Sequence, residues 1–164
     1  MKTLYLIRHA KASWDNAEVS DFDRALTSTG EIDAHTLGKQ LHDQGVIPDL
    51  IISSPAKRAI DTAQIMAEEL NFPLEKVIMD TLIYNGDMEE LVELITRFDR
   101  KVNTALFFGH NPNLTWLVHY FCEGAKMNIP TCGIAGIYFT IRDWAQLANA
   151  EGKLALLIHP QHES

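Results

Sequence analysis

Three short stretches of the chain combine residue types suited to handling a phosphoryl group: Arg8-His9, Ser53-Ser54 with nearby Arg58, and Gly109-His110-Asn111. Arginine presents a planar fork of N–H donors that fits phosphate oxygens, and a helix amino terminus offers unpaired N–H groups to the same anion. A neutral histidine can attack phosphorus through a ring nitrogen and hold the phosphoryl group covalently until water removes it. Neighbouring cations would lower the pKa of such a histidine and stabilise charge on the equatorial oxygens of the transition state. Each residue alone has a plainer reading. A lone histidine is a hydrogen-bonded loop residue, Arg8 a partner for one of many acids, and Arg58 a solvated helix arginine. Two histidines flanked by two arginines weaken all three.

These stretches share a position, because each follows an apolar run. Residues 3–7, 50–53 and 104–108 lack a polar face of their own, as strands buried on both sides do. A hydroxyl among Thr27, Ser28 and Thr29 can cap a first helix that carries Ile32, Leu37 and Leu41 and stops at Gly45. Ser54-Pro55 reads as an N-cap and N1 proline for a helix running to about Leu70, which places Arg58 in or near its first turn. A third strand is expected at 76–79, followed by a helix carrying Leu91, Leu94, Ile95 and Phe98, with Asp87, Glu89 and Glu90 at its start. Leu114, Leu117, Val118 and Phe121 mark another helix, ending at Gly124. Residues 133–141 and 153–158 are read as an antiparallel edge pair. Repeated strand-then-helix order predicts an α/β fold, a three-layer α/β/α sandwich with a mainly parallel central sheet. Ligands of such sheets bind beyond the carboxyl ends of the strands, where Arg8, His9, Arg58 and His110 are expected to converge.

Composition restricts the partners. The 164 residues hold 14 Lys and Arg against 22 Asp and Glu, a balance of −8, so neither a nucleic-acid groove nor a polybasic membrane patch is expected. One domain over 1–164 is the expectation for this length. No apolar stretch approaches the roughly 20 residues of a transmembrane helix, and the early run breaks at Arg8-His9, so a cytoplasmic location is expected. Cys122 and Cys132 fit no disulfide framework or zinc spacing and are read as reduced structural thiols. His35, His42, His159 and His162 are read as surface or tail residues, and Trp14, Trp116 and Trp144 as core, rim or interface. No metal or other cofactor is expected.

Other phosphoryl-transfer chemistries fail on the letters. A thiol phosphatase needs Cys, five residues, then Arg, but Asn128 and Tyr138 stand at those places, and no GxxxxGK[ST] occurs. Asp21-Phe22-Asp23 lacks a leading hydrophobic strand and is read as an acidic loop.

Leu6-Ile7-Arg8-His9-Ala10-Lys11-Ala12 resembles the RHG-type signature of the histidine phosphatase superfamily, its phosphoglycerate mutase-like branch, with Ala10 where many members have glycine. Arg24-Ala25-Leu26-Thr27 with Gly30 resembles the RPLT..G segment, with alanine for proline. Ser53-Ser54-Pro55 through Arg58-Ala59 and Thr62-Ala63 resembles SSP..RA..TA, and Gly109-His110-Asn111-Pro112 the second-histidine motif. The short chain, the RHAKA and GHNP forms and the stretch from Pro130 to Ala135 are most similar to SixA-type phosphohistidine phosphatases. That resemblance implies a phosphoglycerate mutase-like fold with His9 as phosphorylated nucleophile. Arg8, Arg58 and His110 would complete a phosphate pocket, and Arg24 and Asn111 would add to it. It implies hydrolysis of phosphohistidine on a protein, or of a related small phosphorylated compound. The alternatives are a broad or sugar-phosphate phosphomonoesterase and, from another class, a non-catalytic phosphoprotein-binding module. No carboxylic acid for an alkoxide leaving group can be placed, which favours phosphoramidates, since imidazole departs with less proton assistance.

Overall fold

The computed structural model describes residues 1–125 and 127–161. Its strands are β1 (Lys2–Arg8), β2 (Leu50–Ser53), β3 (Ile78–Met79), β4 (Thr104–Gly109), β5 (Ile134–Phe139) and β6 (Lys153–Ile158). They form one sheet in the order β3-β2-β4-β1-β5-β6, in which β1, β2, β3 and β4 pair in parallel and β5 runs against its neighbours. The helices are α1 (Ser28–Asp43), α2 (Lys57–Glu69), α3 (Leu82–Asn85), α4 (Met88–Thr96) and α5 (Asn113–Phe121).

The sheet's two faces carry separate cores, and strand alternation assigns residues to each. Leu4 and Leu6 of β1 and Phe107 of β4 pack with Leu91 and Ile95 of α4 and Leu114 and Leu117 of α5. Tyr5, Ile7, Leu106 and Phe108 pack with Leu37 and Leu41 of α1 and Met66 of α2. This is the three-layer α/β/α sandwich with a mainly parallel sheet. Covering both faces explains why β1, β2 and β4 read as unbroken apolar runs.

Several local expectations shift. The helix after β2 begins at Lys57, so Pro55 lies outside it. Ser54 Oγ accepts from the N–H of Ala56 at 3.1 Å and makes a turn where a helix cap was expected. The third strand shrinks to two residues after a 3-10 turn at Leu74–Lys76. Asp87 caps α4 in a reciprocal capping box with Glu90. Ile32 is 65% exposed, on the outer side of α1, whereas Leu37 and Leu41 are buried. Trp144 is fully buried, its indole N–H donating to the carbonyl of Val102, while Trp14 is 76% exposed. The edge pair is half an edge: β6 closes the sheet, and β5 lies inside, between β6 and β1. His162 lies outside the described residues. No helix among the described residues is long and apolar enough to cross a membrane.

Candidate active site

The parallel strands β1, β2 and β4 deliver Arg8, Ser53 and Gly109 to one end of the sheet, with Arg8 in register opposite Gly109. His9 follows at once and is held from both sides. Its N–H donates to the carbonyl of Gly109 at 3.2 Å, and its own carbonyl accepts from Cys132 at 2.9 Å. The imidazoles of His9 and His110 come to 5.2 Å between ring centroids. Arg8, His9, Arg24, Arg58, His110 and Asn111 all line one cavity of about 570 Å³, with Lys11, Trp14 and Thr131 completing its wall. The six residues that the resemblance implied for the phosphate pocket are therefore brought together.

Hydrogen bonds fix what each histidine can do. Nδ1 of His9 lies 2.8 Å from the carbonyl oxygen of Ala10. A carbonyl only accepts, so Nδ1 carries the proton and Nε2 keeps the free lone pair of a neutral imidazole. Nε2 of His110 lies 2.8 Å from Ser54 Oγ. That oxygen already accepts from Ala56, and its own proton can go to Nε2, leaving Nδ1 of His110 as an N–H donor.

Arg8 Nε, Arg58 Nε and His110 Nδ1 are buried and have no hydrogen-bond partner. A buried polar group without a partner costs about 1–3 kcal/mol, and here three such groups belong to residues lining one cavity. An oxyanion bound in the cavity would meet the residues that carry these donors. No Asp or Glu among the described residues lines the cavity, and none of them forms a cluster suited to a metal ion.

Burial, reinforced by the charges of Arg58, Arg8 and Arg24, lowers the pKa of His9 to about 4 despite its bond to Ala10. Burial and the proximity of His9 and Arg58 lower that of His110 to about 3. Both rings are neutral at pH 7, as a nucleophile and a neutral donor require. The same shifts bear on stability. Between the ordinary value of 6.5 and about 4 the unfolded chain binds protons at these histidines that the folded chain refuses. Stability therefore falls as pH drops from 6.5 toward 4, by at most about 1.4 kcal/mol per pH unit for each ring. Urea unfolding at pH 7 and pH 5 should show this loss, and His9→Asn should reduce it; an equal loss in both proteins would contradict the shift.

Asn111 and Arg24 line the cavity and are also held by partners within the protein. Asn111 lines the cavity, but its amide is committed: Nδ2 donates to Asn128 Oδ1 and the carbonyl of Ile129, and Oδ1 accepts from the backbone and hydroxyl of Thr115. Because the Ile129 carbonyl also accepts from Arg8 Nη1 at 3.0 Å, Asn111 shapes the wall against which Arg8 rests. Arg24 lies with its guanidinium carbon 3.4 Å above the Trp14 ring and donates from Nε to Asp21. Arg58, read as serving a phosphate together with a helix amino terminus, donates two bonds to Asp21. Asp21, read as part of an acidic loop, is the residue that sequence reasoning missed. Its signal was an acid three positions before a site arginine.

Residues 4–111 match the family model of the histidine phosphatase superfamily, branch 1. The chain belongs to the histidine phosphatase superfamily. Histidine phosphatases work through a histidine nucleophile, and this chain is an enzyme of that type. An uncharacterized chloroplastic protein of Arabidopsis thaliana is 28% identical across 97% of this chain and 78% of its own length. Among solved structures, the protein histidine phosphatase SixA in complex with tungstate matches with a TM-score of 0.83 at 23% identity, over 96% of both chains. A provisionally assigned phosphohistidine phosphatase SixA of Agrobacterium tumefaciens gives 0.81 at 26% identity, over 98% of this chain and 99% of that one.

Proposed function

We propose that this histidine phosphatase hydrolyses phosphohistidine, carried on a protein, through a phosphorylated His9. Nε2 of His9 attacks phosphorus while Arg8, Arg58 and His110 bind the non-bridging oxygens. The substrate's P–N bond breaks, and its electron pair returns to the leaving imidazole. Water then attacks the phosphorus on His9, releasing orthophosphate and restoring the free ring.

The observation that carries the choice of substrate is that no Asp or Glu among the described residues lines the cavity, and the state of Asp21 agrees with it. Asp21 is the carboxylate hydrogen-bonded to the site arginines, and it lies below the ordinary carboxylate range. Partial burial raises its pKa, but the bond from Tyr84 and the charges of Arg58 and Arg24 outweigh that effect. A carboxylate held ionised has no proton to give a leaving alkoxide. A phosphoryl-imidazole needs none from the enzyme, because its far ring nitrogen takes a proton from solvent and the group leaves as neutral imidazole. Asp87 and Glu90 are tied up in the capping box of α4, and Glu89 lines a different cavity. A cytoplasmic setting belongs to the same reading, supported by the buried, unpaired thiols of Cys122 and Cys132.

The test compares kcat/KM on a phosphohistidine-bearing protein with that on p-nitrophenyl phosphate and sugar phosphates. The expected preference for the P–N bond is about 100-fold or more. Higher kcat/KM on the esters would replace this reading with a phosphomonoesterase, and binding without turnover of any of them would replace it with a phosphoprotein-binding module.

A further inference from the structure

Asp21 lies in a three-residue 3-10 turn between β1 and α1, and it accepts from three side chains that come from separate parts of the chain. Its backbone carbonyl accepts from Arg58 Nη1 at 2.6 Å, and its Oδ2 accepts from Arg58 Nη2 at 3.1 Å. Oδ2 also accepts from the Tyr84 hydroxyl at 2.8 Å, and Oδ1 accepts from Arg24 Nε at 3.2 Å. Tyr84, on α3, stands edge-on to the rings of both His110 and Phe22.

The arrangement determines which edge of Arg58 faces where. A guanidinium can offer an anion its end, with both Nη groups, or its side, with Nε and one Nη. Asp21 takes the end edge with two acceptors from one residue, which fixes the guanidinium plane. Nε remains buried without a partner, on a residue that lines the cavity. We infer that Asp21 is a positioning residue: it grips the end of Arg58, turns the Nε side toward the phosphoryl oxygens, and ties Arg24 and Tyr84 into the same rim. This deepens the proposed function and rests on its placing the phosphoryl group between His9 and Arg58.

The plainer alternative is a surface ion pair. The Asp21 side chain is 50% exposed, and isolated exposed pairs contribute little. The Arg58 side chain, however, is only 7% exposed, and the contact is two-pronged. A surface pair and a positioning residue differ in how the loss of Asp21 combines with the loss of Arg58.

The experiment is a double-mutant cycle on turnover of phosphoramidate, a small P–N compound, with Asp21→Ala, Arg58→Ala and the double variant. If Asp21 acts through Arg58, Asp21→Ala lowers kcat/KM about 10- to 100-fold, mostly in kcat, and adds less than about threefold once Arg58 is gone. Asp21→Asn keeps the size but must turn an NH₂ group toward Arg24 or Arg58. It should lose activity while retaining the wild-type circular dichroism spectrum, and it takes the place of Asp21→Ala in the cycle should that variant not fold. Full additivity of the two losses, or an Asp21 variant within twofold of wild type, overturns the assignment. Wild-type protein that fails to turn over phosphoramidate, or to retain phosphate from it, strikes at the phosphoryl-transfer reading itself and overturns the assignment with it. Turnover by wild type with additive losses removes Asp21 alone.

Discussion

Wild-type protein incubated with phosphoramidate and quenched in base will carry phosphate that is stable to alkali and lost in acid, while His9→Ala will carry none. Turnover by that variant will fall by about 10⁴-fold or more, the scale seen when a covalent nucleophile is removed. The prediction extends to the atom. Nδ1 of His9 is bound to the Ala10 carbonyl, so the phosphoryl group should be found on Nε2, and ³¹P–¹⁵N coupling on a histidine-labelled sample would show which nitrogen bears it. Phosphate on Nδ1 would contradict the tautomer. Equal labelling of wild type and His9→Ala would remove His9 as nucleophile. His110 is the natural competitor, being neutral and 5.2 Å away between centroids, but its Nε2 is engaged by Ser54 and its Nδ1 is the nitrogen left as donor.

Arg8→Ala should cost about 10²- to 10³-fold in kcat/KM, the range for removing one preorganised donor from a developing oxyanion. Arg8 ends β1, its backbone N–H fixed to the carbonyl of Gly133 and its Nη1 to that of Ile129, so Nε is presented by a side chain with little freedom left. Arg8→Lys retains the charge without the planar fork, and its recovery should stay below about tenfold. The variant should also move the pH–rate profile. The Arg8 cation helps hold the imidazolium form of His9 down, although burial does most of this. Without the cation the pKa of His9 rises, and the acid limb of kcat/KM shifts to higher pH. A loss under fivefold with an unmoved acid limb would take Arg8 out of the site.

Much of this arrangement could be read from the letters because the fold places its chemistry by a simple rule. Apolar runs at β1, β2 and β4 marked buried strands, and residues just beyond β1 and β4 line one cavity. The runs were legible because both faces of the sheet are covered, which removes the polar alternation that would otherwise blur strand limits. Where the reading failed, the cause was tertiary. Ser54-Pro55 has the letters of a helix start, but the Ser54 hydroxyl bonds Ala56 and His110, and the helix is delayed to Lys57. Asn111 sits in the second-histidine motif, yet its amide partners come from residues 115, 128 and 129, which no local pattern announces. Asp21 was only partly readable for the same reason: Arg24 is three positions on, but its partner Arg58 is 37 positions away and Tyr84 is 63.

Holding His9 between Gly109 and Cys132 has a consequence for how the enzyme spends entropy. Ordering one residue's backbone costs roughly 1–2 kcal/mol, and that freedom is surrendered once, when the chain folds, and not again at each encounter. His9 directly follows β1, which pairs in parallel with β4 on one side and antiparallel with β5 on the other. A shear that slid one neighbour past it would break bonds to the second. In the proposed reaction a phosphorylated protein is admitted at the rim, where Trp14 is exposed, while His9 stays where folding put it.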